Sequence, residues 1–446
     1  MVVLLDPDGP FKKCSTNKGH SNRLDPLGQH RFLHALSFCT LLPGPEAQQL
    51  AIYVGWLLNG VRGGLVAGTL FVLPGVVSLL ALSAIYVVAG DTPVVTYLFV
   101  GLAAAVLAIV AQAVVRVAGR ALRSRALIGL AVAAFVAFVA LAVLAVLGVP
   151  FPVVVAASAA VGWALGRWVP TSVHLHGARP GGTDAGPPPL VPDDALHTER
   201  RSWRHAVRVV VLGLLAWAVP VGAVALVTGR DSVFTQQNLF FSGAALVTFG
   251  GAYAVLAYVA QQAVQVYGWL TPGEMVRGLA LAESTPGPLI MVVQFVAFLG
   301  AYRQPGSLDL WLAAVLDSPL VTWVTFVPCF VFIFLGAPYV ERLRGNRSLS
   351  AALAGITAAV VGVIANLAVY FALHTLFDRT RMLEAGPVRL EIAELDSVQP
   401  LAVVIAVLAA YLLFGRGWTV LRTLGVCAAA GLLGGLVGGV VGLPGV

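Results

Sequence analysis

Charged residues are scarce in this sequence. Asp, Glu, Lys and Arg make up only 11% of its 446 residues, whereas a soluble protein carries about 25%. This scarcity excludes a soluble globular domain. The 59% share of hydrophobic residues and the mean hydropathy of +0.90 indicate an integral membrane protein instead. The net charge of +7 comes from basic residues in short loops between apolar runs, which is the positive-inside pattern. We expect no nucleic-acid partner.

Redox and metal-binding motifs are also lacking. The four cysteines are scattered singly along the chain, without a CxxC pair: Cys14, Cys39, Cys329 and Cys427. His174 and His176 form an HxH motif, but no Cys or carboxylate stands at ligand spacing from it. We therefore expect neither a metal site nor a cofactor.

Apolar runs long enough to cross a bilayer follow one another along the chain. They cover residues 33–58, 64–89, 94–118, 126–147, 151–168, 206–228, 234–266, 277–301, 311–340, 349–377, 399–414 and 419–444. The sequence therefore predicts an all-α, polytopic integral membrane protein with about twelve spans.

Two Pro-Gly-Pro segments interrupt these apolar runs. Pro43-Gly44-Pro45 lies in the first run, and Pro286-Gly287-Pro288 lies in the second half of the chain. Proline removes a backbone donor and clashes with the preceding turn, so each segment must break its helix. Broken helices at corresponding positions of two halves are the best sequence indication of a transporter's binding site.

The two halves share an order of elements, which predicts an internal repeat. Besides the Pro-Gly-Pro segments, Phe71-Val72-Leu73-Pro74 aligns with Thr325-Phe326-Val327-Pro328, and we expect Pro74 to interrupt its helix. The predicted divisions are residues 31–168 for the first repeat, 169–205 for a cytoplasmic linker, 206–228 for a connecting transmembrane helix and 229–446 for the second repeat.

The single connecting helix makes the two repeats cross the membrane in opposite directions, so they are predicted to be inverted. This orientation places the basic turn at 116–125 in the cytoplasm and the acid-rich loop 378–396 outside, as the positive-inside rule requires.

The first repeat lacks one element of the second. A run at 234–266, with Phe249-Gly250-Gly251, precedes the second Pro-Gly-Pro segment, whereas residues 1–30 are polar and irregular. Because symmetry requires a helix there, we expect the encoded start to be truncated or frame-shifted.

The motifs resemble those of a known family, the chromate ion transporters. In the first half the resemblance is carried by Leu42–Gln49, Ala51–Trp56, Gly63–Gly68 and Phe71–Gly75. In the second half it is carried by Phe249–Gly251, Trp269-Leu270, Glu274 and Leu281–Pro288. The resemblance covers the chain from about residue 31 to its end, and departs from the family in lacking a first helix with an FGGP-type motif. It implies efflux of chromate, with sulfate as the isosteric natural dianion, and hence chromate resistance.

A tetrahedral dianion is best held by clustered backbone N–H groups and helix N-termini. The candidate substrate-binding residues are Pro43, Gly44, Pro45, Gln48, Gln49, Phe249, Gly250, Gly251, Pro286, Gly287, Pro288 and Gln294. The alternatives are a simple kink at the prolines, close helix packing at the glycines, and interhelical hydrogen bonding by the glutamines. Glu46 and Glu283, beside the breaks, are candidates for proton coupling; the alternative is a helix-capping carboxylate.

We therefore expect an exporter of chromate in the inner (plasma) membrane, driven by the proton motive force. A carrier of sulfate or another oxyanion is one alternative. An intramembrane lipid-phosphate enzyme is another, disfavoured because the spans nearly lack clustered acids, His or Arg. A channel is disfavoured because inverted repeats with broken helices suit alternating access. The lipid bilayer is the expected surrounding, and the sequence leaves a homodimer open.

Overall fold

Helices account for nearly all of the described chain. The computed structural model describes residues 35–36, 38–90, 92–122, 124–143, 151–168, 202–249, 251–339, 347–385 and 388–441. Within these ranges, thirteen α-helices and one β-hairpin are present. Seven of the described helices are long and apolar enough to cross a membrane. The predicted all-α membrane architecture is thus confirmed.

The elements run in the following order. The first repeat contains α1 (Glu46–Ala89), α2 (Pro93–Ala121), α3 (Arg125–Val143) and α4 (Phe151–Trp168), and α5 (Trp203–Thr228) connects it to the second. The second repeat contains α6 (Val233–Leu246), α7 (Ala252–Gln261), α8 (Pro272–Ser284), α9 (Val292–Arg303), α10 (Leu310–Gly336), α11 (Arg347–Leu376), α12 (Pro400–Ala410) and α13 (Val420–Val441). Between α11 and α12, strands β1 (Thr380–Ala385) and β2 (Val388–Ala393) pair antiparallel. Residues 1–34 and most of the linker 169–205 lie outside the described residues, and so does the expected missing helix.

Helix α1 is a hairpin of two arms, 46–58 and 61–89. Asn59 and Gly60 have non-helical dihedral angles, and Gly60 adopts φ +56° and ψ −153°, a region open essentially only to glycine. A Cβ on Gly55 would lie 2.4 Å from the carbonyl oxygen of Gly63. Eight residues of straight helix would separate these glycines by about 12 Å, so the chain must turn back on itself.

The predicted interruption at Pro74 is wrong. The long arm of α1 continues through Pro74, and within α1 only Asn59 and Gly60 depart from helical geometry. In a membrane helix, neighbouring helices can satisfy the carbonyl that a proline leaves without a donor. Pro319 and Pro328 likewise lie inside α10.

The single span predicted at 234–266 is also wrong. Helix α6 ends at Leu246 and α7 begins at Ala252, so residues 247–251 form a third break. Gly251 adopts φ +101°, a backbone conformation that other residues rarely reach. No heavy atom of the described residues lies within 4 Å of the position its Cβ would take. Close helix packing therefore does not explain this glycine.

The two repeats are intertwined. Helix α1 packs on α9 and α10, whereas α2 packs on α11, α12 and α13. Two glycine crossings repeat each other: Gly162 of α4 meets Gly355 of α11, and Gly431 of α13 meets Gly101 of α2, with backbone atoms of each pair in close approach. Glycines let membrane helices approach closely, and the reciprocity of these contacts is that of a pseudo-two-fold axis.

Candidate substrate site

The first Pro-Gly-Pro segment forms a tight turn at the N-terminus of α1. Gly44 adopts φ +122°, and its N–H donates to the carbonyl oxygen of Thr248 at 2.7 Å. A Cβ on Gly44 would lie 2.7 Å from Cys329 Sγ and 2.8 Å from Gln49 Nε2. Both the backbone conformation and the surrounding space therefore require glycine here.

The second segment separates α8 from α9. Helix α8 ends at Ser284, and a 3₁₀ turn at Leu289–Met291 follows the break and leads into α9. Gly287 adopts φ +140° and is exposed, as is Pro286. A Cβ on Gly75 would lie 2.9 Å from the Pro286 carbonyl oxygen.

These contacts relate the two breaks to each other. The first break touches Cys329, which follows Pro328 in α10, and the second touches Gly75, which follows Pro74 in α1. Pro74 and Pro328 are the prolines aligned between the repeats. Each break thus packs against the equivalent position of the other repeat.

The third break, at 247–251, links the other two. Thr248 accepts the hydrogen bond from Gly44, and the Tyr253 hydroxyl, in the first turn of α7, donates to Glu283 Oε1 at 2.5 Å. Phe249 is partly buried against the apolar core. Gly250, a predicted site residue, lies outside the described residues.

Three helices begin at the breaks. Helix α1 follows Pro45, α7 follows Gly251, and the 3₁₀ turn and α9 follow Pro288. The first N–H groups of a helix have no partner within it and carry a partial positive charge, so each start favours an anion. The structure therefore brings together the predicted breaks and a third helix start.

The three candidate glutamines have different roles. Gln49 Nε2 donates to the Pro43 carbonyl oxygen at 2.6 Å and so stabilises the first turn. Gln294 Nε2 donates to the Val76 carbonyl oxygen at 2.9 Å, and Gln294 Oε1 accepts from Thr322 Oγ1 at 3.1 Å. Interhelical hydrogen bonding thus occupies Gln294. Gln48 is fully buried, and neither atom of its amide has a partner among the described residues.

Gln48 also lines a cavity of about 430 Å3 between α1, α5 and α10. Thr69 and Thr322 are further polar residues on its wall, which is otherwise almost wholly apolar, with Phe326 and Phe330 among its members. An apolar wall cannot replace the hydration of a dianion. The cavity therefore does not itself provide an anion site, and the helix starts provide the anion-binding groups.

Basic residues at the end of α2 act electrostatically on both acidic candidates. Arg120 is the charged residue that acts on Glu46, and Arg116 acts on Glu283. The two arginines are four residues apart and so lie on one face of α2. The sequence indicated them mainly as topology signals; the structure places positive charge near two of the breaks.

The two acids differ in their position along a helix. Glu46 lies in the first turn of α1, where the helix dipole stabilises a carboxylate, so the capping alternative stays open for it. Glu283 lies in the last turn of α8, where the dipole opposes a negative charge. Dipole stabilisation therefore cannot account for Glu283, which accepts a hydrogen bond from Tyr253 and is acted on electrostatically by Arg116.

Sequence reasoning missed Tyr253, Thr248 and the buried acid Asp317. The first two are recognisable only after folding, because a break at 247–251 must first bring them to the Pro-Gly-Pro turns. Asp317 could have been found, since an Asp inside the apolar run 311–340 is itself a signal. Among the described residues, no group of three His, Cys, Asp or Glu side chains could hold a metal ion.

The sequence of this broken-helix site can be compared with known families. It matches the profile of the chromate transporter family over residues 21–163 and 235–435. The chain belongs to this family. The first matched segment contains the first break, and the second contains the other two. The resemblance inferred from the motifs is thereby confirmed.

Several relatives cover most of the chain. A chromate transport protein of Pseudomonas aeruginosa is 28% identical over 425 residues, which cover 92% of this chain and 84% of that protein. A chromate transport protein of Cupriavidus metallidurans is 25% identical, covering 78% and 74% respectively. An uncharacterized transporter of Methanocaldococcus jannaschii is 21% identical, covering 78% and 76%. No solved structure matches the chain.

Proposed function

We propose that this chain exports chromate across the inner membrane, driven by the proton motive force, and thereby confers chromate resistance. The observation that carries the proposal is the set of three helix starts at mutually bonded breaks, in a chain that belongs to the chromate transporter family. A dianion requires several donors and little competing negative charge. The helix starts supply donors, and Arg116 and Arg120 supply positive charge nearby.

In this proposal the N–H groups at the starts of α1, of α7 and of the 3₁₀ turn that precedes α9 hold the oxyanion. Gln48 supplies a side-chain donor, because its amide has no partner among the described residues and is fully buried. Gln49 and Gln294 act indirectly, by fixing the first turn and the packing of α9 on α10. Gly44, Gly251 and Gly287 permit the turns that aim the helix starts.

Glu46 and Glu283 couple transport to protons. A dianion beside an ionised carboxylate suffers repulsion, which burial strengthens. Protonation of the acid removes this repulsion, so proton and anion binding favour each other and anion binding depends on pH. The membrane potential, negative inside, drives the dianion outward and is the component of the proton motive force that powers export.

Sulfate is the second substrate to test, because it has the charge and tetrahedral shape of chromate and backbone donors do not distinguish the two. Radiolabelled chromate and sulfate uptake should be measured in inverted vesicles from cells that produce the chain. We expect energised vesicles to accumulate chromate above those from cells without the chain, with accumulation abolished by a protonophore. Uptake of sulfate without chromate would show that sulfate is the substrate. Uptake of neither anion would refute the proposal.

The acids predict a specific pH dependence. In the wild type, chromate binding should weaken as pH rises through the range in which Glu46 and Glu283 ionise, because repulsion then grows. Glu46→Gln and Glu283→Gln remain neutral at every pH, so each should bind chromate with a flatter pH profile. The measurement is chromate binding and flux across pH in reconstituted liposomes, with Asp396→Asn on the exposed hairpin region as control. Two glutamine variants with the wild-type profile would exclude coupling by these acids.

A further inference from the structure

A second buried polar cluster lies away from the three breaks, where α10 crosses α6. Asp317 and Ser318 of α10 are 1% and 0% exposed, and Gln237 and Asn238 of α6 are both fully buried. Helices α6 and α10 pack against each other directly. All four side chains are polar, and Asp317 is the one acid within these two helices.

The hydrogen bonds of this cluster are incomplete. Asn238 Nδ2 donates to Asp317 Oδ1 at 2.8 Å and to the Phe234 carbonyl oxygen at 2.8 Å. Among the described residues, no partner exists for Asp317 Oδ2, Asn238 Oδ1 or Ser318 Oγ, and the whole amide of Gln237 also lacks one. Buried polar atoms are nearly always bonded, so several such oxygens in one place require a reason.

Asp317 also lacks a compensating positive charge. Helix α10 packs against α1, α5, α6 and α9, and among the described residues of these helices no charged group acts on Asp317; its one hydrogen-bond partner there is Asn238. Glu46 and Glu283 differ, since Arg120 and Arg116 act on them. A buried carboxylate without a partner costs several kcal/mol, so it is stable only when a cation neutralises it.

The repeat symmetry does not explain this acid. Counting back from the aligned prolines Pro74 and Pro328, the position of Asp317 corresponds to Gly63 in the first repeat. Gly63 lies against the backbone of Gly55. The equivalent position in the first repeat is therefore a glycine. Asp317 departs from the repeat symmetry, and such departures are expected at functional sites.

Helix α10 is linked to the second break beside this cluster. Thr322 Oγ1 lies 3.1 Å from two acceptors, the Ser318 carbonyl oxygen of its own helix and Gln294 Oε1 of α9, and its one proton is donated to either of them. Gln294 Nε2 in turn donates to the carbonyl oxygen of Val76, the residue after Gly75, which touches Pro286. A change in charge at Asp317 therefore acts on the packing of α10 against α6 and α9, and through α9 on the break.

We propose that Asp317, assisted by the side-chain oxygen of Asn238, binds one monovalent cation whose binding is coupled to anion transport. Oxygen ligands and a single negative charge suit a proton or a sodium ion. The coupling rests on the proposed function, whereas cation binding itself does not. The site is separate from Glu46 and Glu283, so the chain has a coupling ion site at the α6–α10 crossing in addition to the breaks.

Transport tests the coupling in full-length protein reconstituted in liposomes, with the membrane potential clamped to zero. Proton and sodium gradients are imposed separately and in both directions, and radiolabelled chromate accumulation is measured. For one-to-one coupling, a tenfold cation gradient supports roughly tenfold accumulation. We expect one of the two gradients to do this in the wild type. The gradient whose effect is lost in Asp317→Asn identifies the cation bound at Asp317.

The variant Asp317→Asn should equilibrate chromate without accumulating it under that gradient. Its control is Asp309→Asn on the same helix, where Asp309 accepts from the N–H groups of Trp311 and Leu312 as an N-cap. Asn caps a helix about as well as Asp, so this variant should accumulate chromate like the wild type. Wild-type accumulation by Asp317→Asn would overturn the inference.

Thermal unfolding of the purified protein tests cation binding without transport. A cation that binds the folded state raises Tm, so the wild-type Tm should rise with added sodium or with falling pH. Asp317→Asn should lose the sodium dependence, or the part of the pH dependence that does not come from Glu46 and Glu283. Where Asp317→Asn does not fold, Asn238→Ala replaces it. Removing the only donor to the carboxylate favours its protonated form, so the midpoint of the pH dependence should move to higher pH, or the sodium dependence should change.

An unchanged cation dependence of Tm in these variants would exclude the site, whatever the transport result. A wild-type protein that shows this dependence but moves no chromate would refute the proposed function and retain the cation site.

Discussion

Glycine backbone geometry shapes the candidate site at the scale of single residues. Gly44, Gly251 and Gly287 all have positive φ, and within the described residues every positive φ belongs to a glycine. An L-residue at such an angle costs about 1–2 kcal/mol. The Pro-Gly-Pro pattern predicted two of these positions, because a proline on each side of a glycine prevents a regular helix there and favours a turn.

Glutamine roles could not be predicted in the same way. The sequence indicates Gln48, Gln49 and Gln294 equally, as amides near a break. Their partners are a proline carbonyl six residues away for Gln49 and groups on two other helices for Gln294. Hydrogen-bond partners that come from tertiary contacts cannot be read from the local sequence. Only the structure shows that the amide of Gln48 has no partner among the described residues.

Gln48 therefore carries a residue-scale prediction. Gln48→Leu keeps the size of the side chain and removes its donor, and a hydrogen bond to a charged group contributes about 1.5–3 kcal/mol. We expect chromate to bind roughly tenfold more weakly or worse, with Tm unchanged or raised because a buried unpaired amide is lost. Equilibrium binding of radiolabelled chromate to the purified variant measures this. Unaltered affinity would remove Gln48 from the site.

At the scale of elements, the positions of the helix breaks define the candidate site more than the number of helices does. Apolar runs predicted most helix bounds closely, and the run at 151–168 coincides with α4. They failed at 234–266, where the Phe-Gly-Gly segment divides two half-helices, because hydropathy does not register a change of backbone direction within an apolar run. The interruption predicted at Pro74 was wrong for a different reason, because a single proline can be accommodated within a membrane helix without ending it.

The α1 hairpin gives a prediction at this scale. In Gly63→Ala the new Cβ would lie 2.2 Å from the Gly55 carbonyl oxygen, and overpacking of this kind costs about 1–3 kcal/mol. The arms should separate and Tm should fall. Gly222→Ala in α5 is the matched control, because no described heavy atom lies within 4 Å of its Cβ position and alanine favours a helix. Equal Tm values for the two variants in detergent would contradict the close packing of the arms.

At the scale of the whole molecule, the repeats interlock through reciprocal contacts. Glycines lie at both of these contacts, the crossing of Gly162 with Gly355 and that of Gly431 with Gly101. Motif alignment predicted the repeat, but not that each break would rest on the other repeat's proline-containing helix. The cytoplasmic position of the linker, the outward position of loop 378–396 and a homodimer stay predictions.

Chromate binding by the two Pro-Gly-Pro breaks is the central claim, and one measurement tests it most directly. Equilibrium binding of radiolabelled chromate should be compared between the wild type and the variants Gly44→Val, Gly287→Val and Gly129→Val, all purified from the membrane. Gly129 lies inside α3 with no described heavy atom within 4 Å of its Cβ position, so its variant should bind like the wild type. Gly44→Val and Gly287→Val should remain in the membrane and lose binding, because valine cannot adopt their positive φ without strain. Wild-type affinity in the Gly287 variant, whose surroundings leave room for a side chain, would show that chromate binds elsewhere.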